Sequence, residues 1–336
     1  MNFENQSILI TGGTGSFGKK FVEIVLAEYS PKRLVVFSRD ELKQHEMRQR
    51  FPDSGSSPVR YFVGDVRDRD RLMRAFHGVD VVVHAAALKQ VPACEYNPFE
   101  AVQTNIMGAK NVIDAAIDSG VSRVLALSTD KAVNPVNLYG ATKLVAEKLF
   151  IQGNAYAGGR GARFACVRYG NVIGSRGSVV PLFVEQRKSG RLTLTHPEMT
   201  RFWITLEQGV RFVIRGIELM RGGEIFVPKL PASSIRQLAE IIGPDCRVEV
   251  TGIRPGEKLH EVLIADGEAR NAVELDHAYV VLPQFSWWDG DGAHQGRKLP
   301  ADFFYSSDRA RRLTEEEIRQ LISGFHPAVR AAAVSQ

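Results

Sequence analysis

Residues 7–18 read Ser7-Ile8-Leu9-Ile10-Thr11-Gly12-Gly13-Thr14-Gly15-Ser16-Phe17-Gly18. A short apolar run ending at a glycine cluster reads as a buried strand, and the helical pattern of Phe17–Tyr29 starts directly after it. Gly12, Gly15 and Gly18 are three apart. The first permits a tight turn, the second lets backbone N–H groups approach a pyrophosphate, and the third lets helix pack on strand. No Gly-Lys-Ser/Thr follows, which disfavours a mononucleotide P-loop. The stretch therefore predicts a dinucleotide-binding strand–turn–helix.

The same rhythm runs outward from it. Leu34–Phe37, Val59–Val63, Val79–His84, Val124–Ser128 and Phe164–Arg168 read as further strands. Helices are expected after Asp40, over Pro98–Ser119, and over Asn137–Tyr156. The second carries apolar residues at Val102, Ile106, Ala109, Val112 and Ile113. Strands alternating with helices predict an α/β fold with a doubly wound parallel sheet. After Asn171 the rhythm breaks into shorter, Pro-richer segments. We read residues 1–171 as a cofactor-binding Rossmann domain. Residues 172–330 read as a smaller, mainly substrate-binding α/β part, with at least one segment returning to the main sheet. Asp289-Gly-Asp-Gly292 reads as a polar surface turn and Ala328–Gln336 as a frayed tail.

Composition sets bounds on function. With 44% hydrophobic and 24% charged residues among 336, the chain can bury a core. Its formal charge of +5 is mild for this length, and no basic stripe interleaved with aromatics appears, so nucleic-acid binding is not expected. Cys94, Cys166 and Cys246 lack metal-ligand spacing and suit a reducing, cytoplasmic setting. The first strand starts too early for a signal peptide, and no apolar run approaches the roughly 20 residues of a membrane span.

The chemistry concentrates in Ser128-Thr129-Asp130-Lys131 and Tyr139-Gly140-Ala141-Thr142-Lys143. Tyr139 and Lys143 lie four apart, on one helical face. An ammonium so placed is expected to lower the phenol pKa toward that of a usable base. Asp130 and Lys131 add an acid and a base that alcohol oxidation does not need. They suit loss of a hydroxide together with removal of a proton alpha to a carbonyl. The bland alternative is a structural Asp130–Lys131 ion pair. On the cofactor side, strand two ends at Ser38-Arg39-Asp40, with Lys43 one turn later. Arg39 suits a ribose 2′-phosphate, which favours NADP over NAD. Asp65 and Val66 are placed to meet the adenine, and Ala85, Ala86 and Ala87 leave room for the nicotinamide half. His84 is expected to be structural beneath it, and Trp203, Trp287 and Trp288 to be core or interface.

These pieces resemble the extended short-chain dehydrogenase/reductase family. The matching residues are Gly12/Gly15/Gly18, His84–Ala87, Thr104–Gly108, Tyr139–Lys143 and Arg168–Asn171. Closer likeness to the configuration-inverting UDP-N-acetylglucosamine 4,6-dehydratases of pseudaminic acid synthesis for flagellin glycosylation lies at several further stretches. These are Ala87–Pro92, Ser128–Lys131, Arg176–Pro181, Met199–Thr205, Gly223–Pro228 and Gly252–Glu261. The resemblance implies NADP that stays bound and is regenerated. It implies that Tyr139 acts on the 4-hydroxyl with Lys143 and Thr129, that Lys131 is the C5 base, and that Asp130 is the acid for the departing 6-hydroxyl. Thr14, Ser16, Phe17, Thr104 and Val172 join the implied cofactor set. Lys89, Asn171, Arg176, Gly177, Ser178, Arg201, Arg254 and Glu257, beside Thr129 and Asp130, form the implied substrate set. No metal is expected. A homo-oligomer and a downstream aminotransferase partner are further implications.

Three rivals remain at this point. A 4-epimerase needs no C5 base, which Lys131 would supply. Retaining dehydratases of glucose nucleotides carry Asp-Glu where this chain has Asp130-Lys131. A catalytically silent dinucleotide-binding scaffold of the same fold would have no need of Tyr139 and Lys143.

Overall fold

The computed structural model describes residues 3–158, 161–174, 178–285, 288 and 294–324. The first half alternates as expected: β1 Ser7–Thr11, α1 Ser16–Glu28, β2 Arg33–Ser38, α2 Glu41–Arg50, β3 Val59–Val63, α3 Arg69–Phe76 and β4 Val81–His84. Then come α4 Val91–Tyr96, α5 Pro98–Ala101, α6 Gly108–Asp118, β5 Arg123–Leu127, α7 Leu138–Ala157 and β6 Arg163–Val167. The second half holds β7 Asn171–Val172, α8 Val179–Arg187, β8 Arg191–Leu194, β9 Thr200–Ile204, α9 Leu206–Leu219 and β10 Ile225–Pro228. It continues through β11 Ala232–Ser234, α10 Ile235–Ile242, β12 Arg247–Val250, β13 Val262–Ile264 and α11 Asp266–Ala269. It closes with β14 Ala272–Glu274, β15 Ala278–Val281, β16 Arg297–Lys298, β17 Tyr305–Ser306 and α12 Glu315–Ile322.

One ten-stranded sheet runs in the order β16-β14-β15-β10-β6-β5-β4-β1-β2-β3. From β3 to β10 every pairing is parallel; β15, β14 and β16 add antiparallel strands at the far edge. Strand order reverses direction between β1 and β4, the switch point where such sheets open a crevice at the carboxyl ends of their strands. Strands β1, β4 and β5 are almost wholly buried and near-continuously apolar, because helices cover both faces. Two clusters fill those faces, one around Phe76, Val112, Phe150 and Phe164, the other around Phe21, Val25, Val213 and Phe226. A third, around Phe183, Trp203, Leu238 and Ile318, forms the core of the smaller part.

One expectation changes. The helix read over Pro98–Ser119 is three pieces, with π-helical backbone over Val102–Met107 between α5 and α6. Asp130, Lys131 and Ala132 follow the end of β5, as a 3₁₀ turn. Trp203 is core, its indole donating to Ser233 at 2.7 Å. Trp287, the Asp289–Gly292 turn and the Ala328–Gln336 tail lie outside the described residues.

Candidate active site

The glycine turn after β1 is built without room for side chains. Gly12 has φ +64°, and a Cβ there would lie 2.9 Å from the backbone of Ala86 on the neighbouring strand end. A Cβ at Gly18 would lie 2.2 Å from the Gly13 carbonyl. Gly15 caps α1 with no side-chain cap, and the first turn of α1 holds no acidic residue. Its unsatisfied N–H groups and the positive end of the helix dipole suit an anion. The residues present therefore fit a dinucleotide pyrophosphate.

Around this cradle, Thr14 and Ser38 hydroxyls meet at 2.8 Å. Asp40 caps α2, accepts from the Lys43 N–H at 3.0 Å and pairs with the Lys43 ammonium. Arg39 is exposed and 3.5 Å from Asp65, which also holds Arg67 at 2.9 Å. Burial works against the Asp65 carboxylate, but the Arg67 hydrogen bonds and the Arg67 and Arg39 charges outweigh it and lower its pKa. Val66 is buried beneath Gly108, where a Cβ would come within 2.9 Å of its side chain. The Ala85 and Ala86 N–H groups donate to Thr11 Oγ1 at 3.1 and 3.2 Å. His84 shares a 2.8 Å hydrogen bond with the same oxygen; burial first, then Lys143, lower its pKa to about 3, so it stays neutral.

The catalytic candidates meet where β5 delivers the chain to the 3₁₀ turn and α7 passes over it. Asn137 caps α7 through the Gly140 N–H at 2.7 Å. Gly140 lets the helix touch the turn: a Cβ there would lie 2.2 Å from the Lys131 carbonyl. That contact brings Tyr139 beside Thr129, Asp130 and Lys131. Asp130 is fully buried; its Oδ1 accepts from Thr129 Oγ1 and Lys131 Nζ, each at 2.9 Å.

The electrostatics differ from the expected helix-face pairing. Lys143 donates to the Leu127 carbonyl at 2.6 Å, and burial pushes its ammonium below the ordinary range. Burial raises the Tyr139 phenol to about 12, with Asp130 adding to the rise; Lys131 and the Thr129 hydroxyl pull the other way. The expectation that the phenol is lowered is therefore corrected: desolvation wins, and the opposing cation is Lys131. Burial also works against the Lys131 ammonium, yet Asp130 and Glu261 outweigh it and raise its pKa.

The substrate candidates are dispersed around this centre. Lys89 is exposed on the loop after β4 and feels the Lys131 charge. Asn171 opens β7, paired with Trp203 of β9. Arg201 is buried, its guanidinium donating to the Thr200 and Leu259 carbonyls at 2.7 and 3.2 Å. Arg254 is exposed and paired with Glu257 at 3.0 Å. Their loop docks on the start of α7, where Asn137 donates to the Gly256 carbonyl at 2.7 Å. Arg176 and Gly177 lie outside the described residues, and Ser178 caps α8.

Among the described residues, eight buried side-chain polar atoms have no hydrogen-bond partner. Four belong to expected ligand residues: Thr104 Oγ1, Asp130 Oδ2, Asn171 Oδ1 and Ser178 Oγ. Ser128 Oγ adjoins them in sequence, and Glu261 Oε2 belongs to a carboxylate 3.6 Å from Lys131. Leaving such atoms unpaired costs about 1–3 kcal/mol each, and six of the eight lie on or beside expected site residues, where the polar groups of a ligand would satisfy them. Glu261 and its neighbour Lys258 were not read from the sequence as site residues. The signal was faint: Glu261 closes the Gly252–Glu261 stretch, but nothing in that stretch announces its burial.

The model of the polysaccharide biosynthesis protein family matches residues 8–283. The UDP-N-acetylglucosamine 4,6-dehydratase (inverting) of Campylobacter jejuni subsp. jejuni serotype O:2 is 49% identical, covering 91% of this chain and 93% of its own. The UDP-glucose 4-epimerase of Rickettsia canadensis is 43% identical over 95% of this chain and 96% of its own. Among solved structures, the X-ray structure of Pen from Bacillus thuringiensis superposes with a TM-score of 0.88 at 39% identity, covering 96% and 98%.

Proposed function

Because this chain belongs to the polysaccharide biosynthesis protein family, we propose that it is a UDP-N-acetylglucosamine 4,6-dehydratase that inverts C5. The observation that carries this reading is the Thr129–Asp130–Lys131 turn held against Tyr139 by the Gly140 contact. A 4-epimerase needs an oxidation centre alone. The turn supplies, in addition, a buried carboxyl and an amine 2.9 Å apart.

A nicotinamide dinucleotide in the glycine cradle would accept hydride from C4 and return it to C6. Tyr139 takes the 4-hydroxyl proton in its phenolate form, which burial opposes and which Lys131 and the Thr129 hydroxyl favour. Lys143 stays on the Leu127 carbonyl one helical turn along. The 4-keto group acidifies C5–H. Lys131 in its neutral amine form takes that proton, and the electron pair passes into the ketone as an enolate. Asp130 in its acid form gives a proton to the departing 6-hydroxyl, which leaves as water. Delivery of a proton to the other face of C5 then gives the L-arabino 4-keto sugar. With the two groups 2.9 Å apart, a proton moved from the Lys131 ammonium to the Asp130 carboxylate creates both reactive forms at once without changing the pair's net charge, against the preference of Asp130 and Glu261 for the ammonium.

Several finer parts rest on the same reading. Exposed Arg39 beside Asp65 supports NADP, and cofactor released from the purified protein should carry the 2′-phosphate; NAD would overturn that point. The substrate diphosphate falls to Lys89, Arg176, Arg201 and Arg254, and Glu257 accepts from the uridine ribose. The domain boundary falls near 171. The 4-keto product is an acceptor for an aminotransferase in a cytoplasmic route to pseudaminic acid, and the enzyme works as a homo-oligomer, which sedimentation would check. Among the described residues no helix is long and apolar enough to cross a membrane. Mass spectrometry tests the core assignment. A product one water lighter than UDP-N-acetylglucosamine supports dehydration, whereas turnover without mass change supports epimerisation.

A further inference from the structure

Among the described residues, Glu261 is the one carboxylate besides Asp130 that faces Lys131, and it is nearly as deeply buried, at 2% exposure. Its Oε1 stands 3.6 Å from Lys131 Nζ and 3.7 Å from Arg201 Nε, and its Oε2 is 4.0 Å from Lys258 Nζ. No hydrogen bond closes on Oε2. The backbone is fixed from behind: the Glu261 N–H donates to Ser307 Oγ at 2.9 Å, and Ser307 shares a 2.6 Å hydrogen bond with Thr200. Arg201 in turn is held by two carbonyls and Lys258 by the Val133 carbonyl at 2.5 Å. With its backbone held and its side chain 3% exposed against 27% for Lys131, Glu261 is the more confined of the two.

We propose that Glu261 is a positioning residue for the C5 step, fixing the amine end of Lys131 on the cleft side and setting how readily it surrenders its proton. The inference rests on the dehydratase reading and deepens it. Geometry divides the work between two acids. Asp130 sits one residue from Lys131, on the same turn, and exchanges a proton with it. Glu261 comes from the loop before β13, too far for a short hydrogen bond, and acts through charge and placement. The other groups facing Lys131 are Lys89 from the loop after β4, Arg201 from β9, Lys258 from the Glu261 loop, and Tyr139 from α7. Three of these four are cations. Without Glu261 their charge would meet Asp130 alone.

The sign of the effect follows. A negative charge beside Lys131 favours its ammonium form, and removing that charge makes the amine available at lower pH. The test is the rate of C5 deuterium uptake from deuterated water, followed by NMR across pH, for the cofactor-loaded enzyme and its E261Q and E261D variants. The rising limb for E261Q is expected about one pH unit lower than in wild type, a tenfold change in proton affinity. E261D keeps the charge but withdraws it by a methylene, so its limb should move the same way by less than half as much. A merely structural Glu261 would lower the amplitude and leave the limb in place, and an unmoved limb in E261Q overturns the proposal. Where E261Q does not fold, an unmoved limb in E261D does so instead. Failure of the underlying reading looks different, because the wild-type enzyme would then form no 6-methyl product at all.

Discussion

At the scale of single residues, position 140 shows how tightly the site is drawn. Ala is the better helix former by roughly 1 kcal/mol, but its Cβ would sit 2.2 Å from the Lys131 carbonyl, which is backbone and cannot swing aside. G140A should therefore push α7 off the turn, lowering stability by about 1–3 kcal/mol and activity at least tenfold, as read by urea unfolding and steady-state kinetics. K131M separates the two halves of the reaction. It should leave cofactor reduction by substrate visible at the nicotinamide absorbance while C5 deuterium uptake falls by about 10²–10⁴-fold. Parallel loss of both would move Lys131 from base to scaffold. The Tyr139–Lys143 spacing and the Asp130-Lys131 pair were legible from side-chain type and interval alone. The role of Glu261 was not, because proximity across 130 residues of chain is a property of the fold.

Among elements, the joint between β6, α7 and α11 carries the most concentrated polar contact. Arg168, fully buried at the end of β6, donates to Glu147 of α7 at 2.9 and 2.7 Å and to Glu268 of α11 at 2.8 Å twice. Burial works against the guanidinium, but the two carboxylates outweigh it and hold it charged. R168A would strand both acids, at a cost of about 3–5 kcal/mol measurable by urea denaturation. The double change R168M/E147M should recover part of that loss; no recovery would argue that volume rather than charge matters here. The π-helical stretch Val102–Met107 escaped the sequence reading for a physical reason. Its apolar residues still fit the helical period, and an added backbone turn leaves no mark in side-chain type. Its effect on the site is direct, since it turns Thr104 and Asn105 inward. Asn105 clasps Leu88 through both backbone groups, at 2.8 and 2.9 Å, just before Lys89.

For the molecule as a whole, the parallel sheet was readable because buried strands with a glycine turn leave strong signatures. Its extension by β10, β15, β14 and β16 was foreseen only as a returning segment. Strands of two to four residues carry too little pattern to be counted in advance. One global property follows from the core beneath the cofactor cradle. His84 is neutral in the folded state down to about 3, while an unfolded histidine titrates near its ordinary 6.5. The unfolded chain thus binds the extra proton between those values, so stability is full above 6.5 and declines as pH falls toward 3. Near pH 5 the loss amounts to about 2 kcal/mol. H84N should flatten that part of the stability–pH curve, and an unchanged slope would assign the acid lability elsewhere.

Dehydration with inversion is the claim on which the rest depends, and proton NMR of UDP-N-acetylglucosamine with the enzyme in deuterated water tests it most directly. The expected spectrum shows a 6-methyl signal, a 4-keto sugar, deuterium at C5 and couplings of the L-arabino configuration. A 4-epimer that retains its 6-hydroxyl and its C5 proton would contradict the account.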